Sequence, residues 1–182
     1  MNARRHDPLR LDVTRLATAG ETLQGQWPLA SLERLCAMQT APQDWVLPPV
    51  SWRVRGERRP VPGEAQQTWL QIQARATMWL PCQRCLQPYR TELLVDRAIR
   101  FVRGEDQAEA LDAESEDDVL ALPRSLDLRA LVEDELLLAL PIVPRHEACP
   151  DALPVQIEPQ AVPPAVQNPF AVLGAFKSRA QD

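Results

Sequence analysis

The sequence of 182 residues predicts an α+β fold, in which an antiparallel β-meander or barrel-like sheet packs with a few helices and precedes an extended, proline-rich C-terminal tail. Three observations predict this fold class. Long central stretches alternate apolar and polar residues, which is typical of half-buried strands. Two other segments carry apolar residues at helical spacing. A late segment is rich in proline and has no clear period, which favours an extended linker.

The first elements of the chain are predicted to be short. Residues Leu9–Val13 are expected to form a strand. A helix is then expected from Pro28 to Met38, because proline suits the first helical turn and the leucines that follow line one face.

Three segments are expected to form the central sheet. Thr68–Leu80 alternates most cleanly, since every second residue from Leu70 onward is apolar. Ser51–Arg55 repeats this alternation, and Tyr89–Val102 completes the third strand. The turn PCQRCLQP joins Thr68–Leu80 to Tyr89–Val102, so an antiparallel hairpin of these two strands is expected.

The second half of the chain changes character. Eight of the fifteen residues 104–118 are acidic, and this segment is predicted to be a mobile loop. A helix is expected to begin at Ser125 or Asp127, carry a buried leucine-rich stripe and end at Pro141.

The predicted domain organisation has three parts. Residues 1–149 are expected to form one α+β domain, residues 150–167 a proline-rich linker, and residues 168–182 a short helical motif. In that motif Asn168 is the expected cap and Pro169 the first-turn residue. Phe170, Leu173 and Phe176 fall about one helical turn apart. They are expected either to pack on the parent domain or to dock on a partner.

The charge distribution and the apolar content of the sequence bear on its binding partners and its cellular location. The net charge of −5 combines a balanced first 52 residues, a basic middle with ten arginines against four acids in residues 53–103, and an acidic segment from residue 104 onward. Arginine forks match phosphate groups, so the basic middle is compatible with nucleic acid. The sequence contains no apolar run long enough to span a membrane, and no apolar segment of a signal peptide follows the N-terminus. A cytoplasmic protein is expected, with no membrane role and no evident small-molecule substrate.

Two pairs of metal-binding residue types occur in the chain. Cys82 and Cys85 are two residues apart between prolines, and His146 and Cys149 have the same spacing after another proline. Together they would provide the Cys₃His ligand set of a closed structural Zn²⁺ site. Unligated thiols and a redox disulfide remain alternatives at this point, because only the fold can bring the two pairs together.

No catalytic arrangement is recognisable, so an enzyme is not expected. The outward sheet face is instead predicted to carry arginines between tryptophans at its two ends. Such a face suits either single-stranded RNA or plain solvent, with the tryptophans covered by loops in the second case. The nucleic-acid candidates are Arg53, Arg55, Arg75, Arg90 and Arg100.

Three motifs resemble the bacterial YceD family, the large ribosomal RNA subunit accumulation proteins. They are CQRC at 82–85, DLRALVEDELLLALPIVPRH at 127–146 and NPFAVLGAFK at 168–177, and the opening HDPLRLDVTRLA is similar as well. The resemblance implies a role in the synthesis, processing or stability of 23S rRNA, without an established catalytic activity. It also implies that cysteines commonly follow the VP element, where this chain has His146 and Cys149.

The leading hypothesis is therefore a non-enzymatic factor for large-subunit rRNA, whose partners are ribosomal RNA, large-subunit ribosomal proteins, or both. The first alternative is a protein-binding adaptor that does not contact RNA. A third candidate is a metal-dependent nuclease, which a closed ligand set argues against.

Overall fold

A five-stranded sheet organises the chain in the structure, a computed structural model that describes residues 6–42, 45–46, 48–63 and 65–150. The strands are β1 Thr22–Trp27, β2 Val50–Arg59, β3 Gln67–Pro81, β4 Pro88–Val102 and β5 Asp118–Ala121. The helices are α1 Val13–Ala19, α2 Glu33–Ala37, α3 Glu105–Glu114 and α4 Leu128–Leu138, with a short 3₁₀ turn at Leu29–Ser31.

The strands follow one another in chain order across the sheet. β1 to β4 form an antiparallel meander, and β5 then pairs in parallel with β4. The α+β class and the central hairpin are therefore confirmed. The sheet differs from the expectation in two respects, since it is mixed rather than wholly antiparallel and open rather than barrel-like.

The core lies on one face of this sheet, against α1, α2 and α4. The alternation predicted for the three central strands is confirmed for their apolar residues, which are buried on that face, whereas Arg97 of β4 interrupts the series with an exposed side chain. Fully buried members include Val54, Leu70, Ile72, Met78, Leu93, Ile99, Leu128 and Leu136. Burial of this many large apolar side chains is the main stabilising term of the fold.

Helix α1 was not predicted, and it begins at the last residue of Leu9–Val13, the segment that was expected to form a strand. Leu11 forms an isolated bridge with Leu126, and the helix begins directly afterwards because the Asp12 carboxylate accepts the Arg15 N–H. The helix lies almost on the sheet backbone. A Cβ on Gly56 would lie 2.5 Å from the Ala17 nitrogen, so only glycine permits this approach.

The acidic segment forms a helix, α3, where the sequence was expected to give a mobile loop. Its residues are mainly good helix formers, and Glu105 and Asp106 in the first turn complement the helix dipole. Ala108 packs with Val102 and Val119 in a small second cluster. This packing gives the acidic helix an attachment to the end of β4 and to β5.

A buried carboxylate joins α2 to α4. Glu133 accepts hydrogen bonds from the Leu35 N–H at 3.1 Å and from the Arg34 guanidinium at 3.0 and 3.2 Å. Burial opposes ionisation of Glu133, but the Leu35 N–H and the Arg34 guanidinium outweigh burial and hold the pKa of Glu133 below its ordinary value. The carboxylate run of α4 is therefore not merely a solvated face.

None of the helices in the described ranges is both long and apolar enough to cross a membrane. The expected C-terminal motif at 168–182, and the expected linker from residue 151 onward, lie outside the described residues. The three-part domain organisation therefore stays a prediction.

We predict that Glu133→Gln destabilises the protein at pH 7 by about 1–3 kcal/mol, because it replaces a buried carboxylate that accepts three hydrogen bonds. The folded state lowers the pKa of Glu133, so its contribution is present above the unfolded value of about 4.3 and is lost as pH falls through the folded value. Urea unfolding at pH 7 and in acid measures both effects. The exposed Glu109→Gln is the control, and equal stability losses in the two variants at pH 7 would contradict the role given to Glu133.

Candidate functional site

The turn between β3 and β4 places two thiols side by side. The Cys82 N–H donates to the Gln87 carbonyl at 3.0 Å, and the Leu86 N–H donates back to the Cys82 carbonyl at 2.8 Å. Leu86 adopts a left-handed backbone with φ of 60°, which closes the turn within a few residues. Both Cys82 and Cys85 are buried, so the thiols point inward rather than to solvent.

The segment after α4 brings the second pair to this turn. The Gln83 N–H donates to the Pro144 carbonyl at 2.8 Å, which fixes the segment against the hairpin. The His146 ring lies edge-on to Tyr89, with 5.4 Å between ring centroids. His146 Nε2 lies 3.2 Å from the Pro88 carbonyl, which can only accept, so the neutral ring would carry its proton on Nε2 and its lone pair on Nδ1.

The four side chains converge on one point. The Sγ atoms of Cys82 and Cys149 are 3.9 Å apart, and the Cys85 Sγ lies 3.5 Å from His146 Nδ1. All four potential ligand atoms lie within 4.8 Å of one another. A tetrahedral Zn²⁺ with Zn–S bonds of about 2.3 Å requires sulfur atoms about 3.8 Å apart. The donor set and its spacing therefore fit a small tetrahedral cation, after contraction of the longer separations.

Hydrogen bonds around the cluster divide the thiols into two classes. Burial raises the pKa of the Cys82 thiol, yet the backbone N–H groups of Cys85, His146 and Arg84 outweigh burial and lower this pKa to about 5. Burial and hydrogen bonds to Cys85 and Cys82 raise the pKa of Cys149 to about 11. Cys82 therefore ionises more readily than Cys149, and a bound cation would displace the proton of Cys149.

The fourth cysteine stays apart from the cluster. Cys36 is half-buried in α2 and packs against the main core, as a small apolar residue would. All four cysteines are free thiols.

The face of the sheet opposite the core forms a groove of about 880 Å³ across β1 to β4. Arg53 and Arg75 both line it, on adjacent strands and two residues out of register. Both are exposed, and within the described ranges neither guanidinium has an ion-pair partner. Arg55 lies further along the same face, with its Nε 3.7 Å from a Glu57 carboxylate oxygen. The groove is therefore cationic at its centre.

A polar network borders these two arginines. Asp96 accepts hydrogen bonds from the side-chain amides of Gln71 and Gln73. Because a carboxylate can only accept, each amide turns its NH₂ to Asp96, and its oxygen has no hydrogen-bond partner among the described residues. Leu94, which is 61% exposed, is an apolar contact in the same groove.

The other two arginine candidates lie away from the groove centre. Arg90 lies near the hairpin turn, with its guanidinium 5.7 Å from the Trp45 ring. Arg100 lies beside β5 and α3, and its Nε is buried without a hydrogen-bond partner in the described part of the chain. The five candidates thus form a central group of three and two separate single residues.

The tryptophans at the two ends of this face are covered, in agreement with the second of the two alternatives considered for it. Trp69 is 4% exposed and lies under the Arg59 guanidinium, 4.0 Å from the ring. Trp79 is half-buried, in edge contact with Trp45. A platform of exposed indoles for base stacking is absent from the described part of this face.

Sequence reasoning missed part of the groove. Gln24 and Gln26 line it from β1, a strand that was not predicted. The alternation of TLQGQW is the signal that could have found this strand, since its polar residues face the groove.

Comparison with known proteins gives a family match and matches to individual relatives. The family model described as large ribosomal RNA subunit accumulation protein YceD matches residues 70–177. A Haemophilus influenzae protein with the same description is 38% identical over 107 residues, which are 55% of this chain. That match spans 60% of the length of the relative. No solved structure matches the chain significantly.

Proposed function

Because the chain belongs to the YceD family of large ribosomal RNA subunit accumulation proteins, we propose that it is a non-enzymatic factor for the synthesis, processing or stability of 23S rRNA. The observation that carries this proposal is the family match over residues 70–177, which includes both halves of the Cys₃His cluster and all of α4. The proposed place of action is the cytoplasm, where thiols such as these four stay reduced.

The direct test of this function is made in cells that lack the protein. We predict that the ratio of 23S to 16S rRNA falls in such cells and that the full chain restores it, because large-subunit RNA is what the factor supports. Quantitative sequencing of total RNA measures the ratio. An unchanged ratio during rapid growth would contradict the proposal.

The cluster of Cys82, Cys85, His146 and Cys149 is proposed to hold a structural Zn²⁺. Thiolates and a neutral imidazole are its preferred ligands, and four protein ligands leave no position for a substrate water. Bound zinc would cross-link the β3–β4 turn to the segment after α4. Pro88 would serve as the outer partner that orients the imidazole. The role is mechanical, which argues against a metal-dependent nuclease.

We predict that the purified protein carries about one zinc ion per chain and that Cys149→Ser and His146→Ala lose most of it, because each removes a ligand. Elemental analysis measures the metal, and thermal unfolding of the same samples should show a lowered Tm in both variants. Cys36→Ser is the matched control, since it removes a free cysteine outside the cluster and should retain the metal. Equal zinc losses in Cys36→Ser and Cys149→Ser would contradict this ligand assignment.

The groove is proposed to bind RNA by contacting the sugar-phosphate backbone of the RNA. Arg53 and Arg75 would neutralise phosphates, and the side-chain amide oxygens and Leu94 would contact bases or riboses. The covered tryptophans argue against recognition by base stacking. Phosphate contacts of this kind would hold an RNA strand without reading its base sequence.

We predict that Arg53→Ala combined with Arg75→Ala weakens binding of single-stranded RNA and lowers the slope of log affinity against log salt by about 1.4, which corresponds to two lost phosphate contacts. Fluorescence anisotropy over a salt series measures both quantities. Arg10→Ala combined with Arg15→Ala is the control, since it removes the same charge from exposed positions outside the groove. Equal slopes in the two double variants would show that RNA does not use this face.

A protein-binding adaptor is the second candidate function. The observation that favours it is a set of exposed apolar side chains at and after the end of α4, namely Leu138, Ile142 and Val143, which are 78%, 100% and 57% exposed. The NPFAVLGAFK segment at 168–177 is proposed to serve as a further partner motif. Retained association with large-subunit proteins after the groove arginines are removed would favour the adaptor.

A further inference from the structure

A second cavity, of about 590 Å³, lies where β2 ends, β3 begins and β4 ends. Three arginines from different positions line it, Arg58 from β2, Arg100 from β4 and Arg103 just beyond β4. Gln67, Thr68 and Gln107 add neutral polar groups. Among the described residues that line this cavity there is no carboxylate. The described lining of this cavity therefore carries positive charge and no negative charge.

Arg100 is partly exposed, although its Nε is buried and has no hydrogen-bond partner in the described part of the chain. A ligand in the cavity would therefore meet the terminal guanidinium nitrogens of Arg100 rather than Nε. Arg58 is held differently, since it donates to the Thr68 hydroxyl. That contact uses one nitrogen of Arg58 and leaves donors available to a bound group.

The rest of the lining strengthens anion binding. Phe101, Val102 and Leu122 form apolar walls, which lower the local dielectric constant and make charge-assisted hydrogen bonds stronger. Gln107 lies in the first turns of α3, whose N-terminus has no side-chain cap. Glu105 and Asp106 begin the same helix, but neither lines the cavity.

We propose that this cavity binds a phosphate group, carried either by a nucleic acid strand or by a free nucleotide. A phosphate monoester offers three acceptor oxygens and up to two charges, which suits three guanidinium groups better than a carboxylate would. The volume exceeds the need of a bare ion and leaves room for the ester group. Phosphate binding does not depend on the proposed function, whereas the identification of the ligand as an RNA end rests on it.

The test compares two oligoribonucleotides of one sequence, with a 5′-phosphate or a 5′-hydroxyl end, and adds adenosine monophosphate and inorganic phosphate as separate probes at constant ionic strength. If the bound group is an RNA end, the 5′-phosphate should lower Kd roughly tenfold, which is the usual size of a charge-assisted contact. Arg100→Gln and Arg103→Ala should each abolish that gain. Arg103 is exposed, so its variant is informative even if Arg100→Gln fails to fold. The exposed Arg10→Ala is the control and should keep the gain.

Each outcome separates the phosphate inference from the proposed function. Binding of adenosine monophosphate or phosphate that depends on Arg103, without a gain from the RNA end, would support the cavity with a free nucleotide as its ligand. Binding of 5′-hydroxyl RNA that depends on Arg53 and Arg75, with no probe sensitive to Arg103, would overturn the cavity inference and leave the proposed function standing. Phosphate binding without any RNA binding would support the cavity and count against RNA contact by this chain.

Discussion

The contact between the β3–β4 turn and the segment after α4 is the constraint on which the site depends. Cys85 and His146 are 61 residues apart in sequence, yet their side chains meet at 3.5 Å. The Gln83–Pro144 and His146–Pro88 hydrogen bonds hold the same two segments together. A loop closed over this length carries a substantial entropic cost, which a shared metal ion would offset by linking the segments directly.

The contact between the β3–β4 turn and the segment after α4 also affects the groove on the open face of the sheet. β3 and β4 are the longest strands, and together they supply Gln73, Arg75, Leu94 and Asp96 to the groove. The hairpin is packed on one face by α4, whose last turn leads to His146 and Cys149. A cross-link at the turn would therefore restrain the hairpin from its far end and keep the groove residues in a fixed arrangement, which reduces the entropy lost on binding a strand.

The sequence predicted the elements whose signal is local and strong. The period-two pattern of Thr68–Leu80 became β3, and the Asp127 cap and leucine stripe became α4. β1 was missed because Gly25 interrupts its apolar positions, at a point where a Cβ would lie 2.7 Å from the Trp52 indole ring. α3 was missed because its acidic composition is typical of a loop. The helix has ten residues and only a few apolar contacts, so it lacks a clear apolar stripe in the sequence. Bringing the two ligand pairs together, and burying the tryptophans, required the tertiary fold.

X-ray absorption at the zinc edge of the purified full-length protein tests the central claim most directly, because it reports the ligands of the ion rather than its presence alone. A Cys₃His site predicts about three sulfur neighbours near 2.3 Å and one nitrogen near 2.0–2.1 Å. A shell made only of oxygen or nitrogen atoms, or a protein that carries no zinc when purified under reducing conditions, would contradict the account.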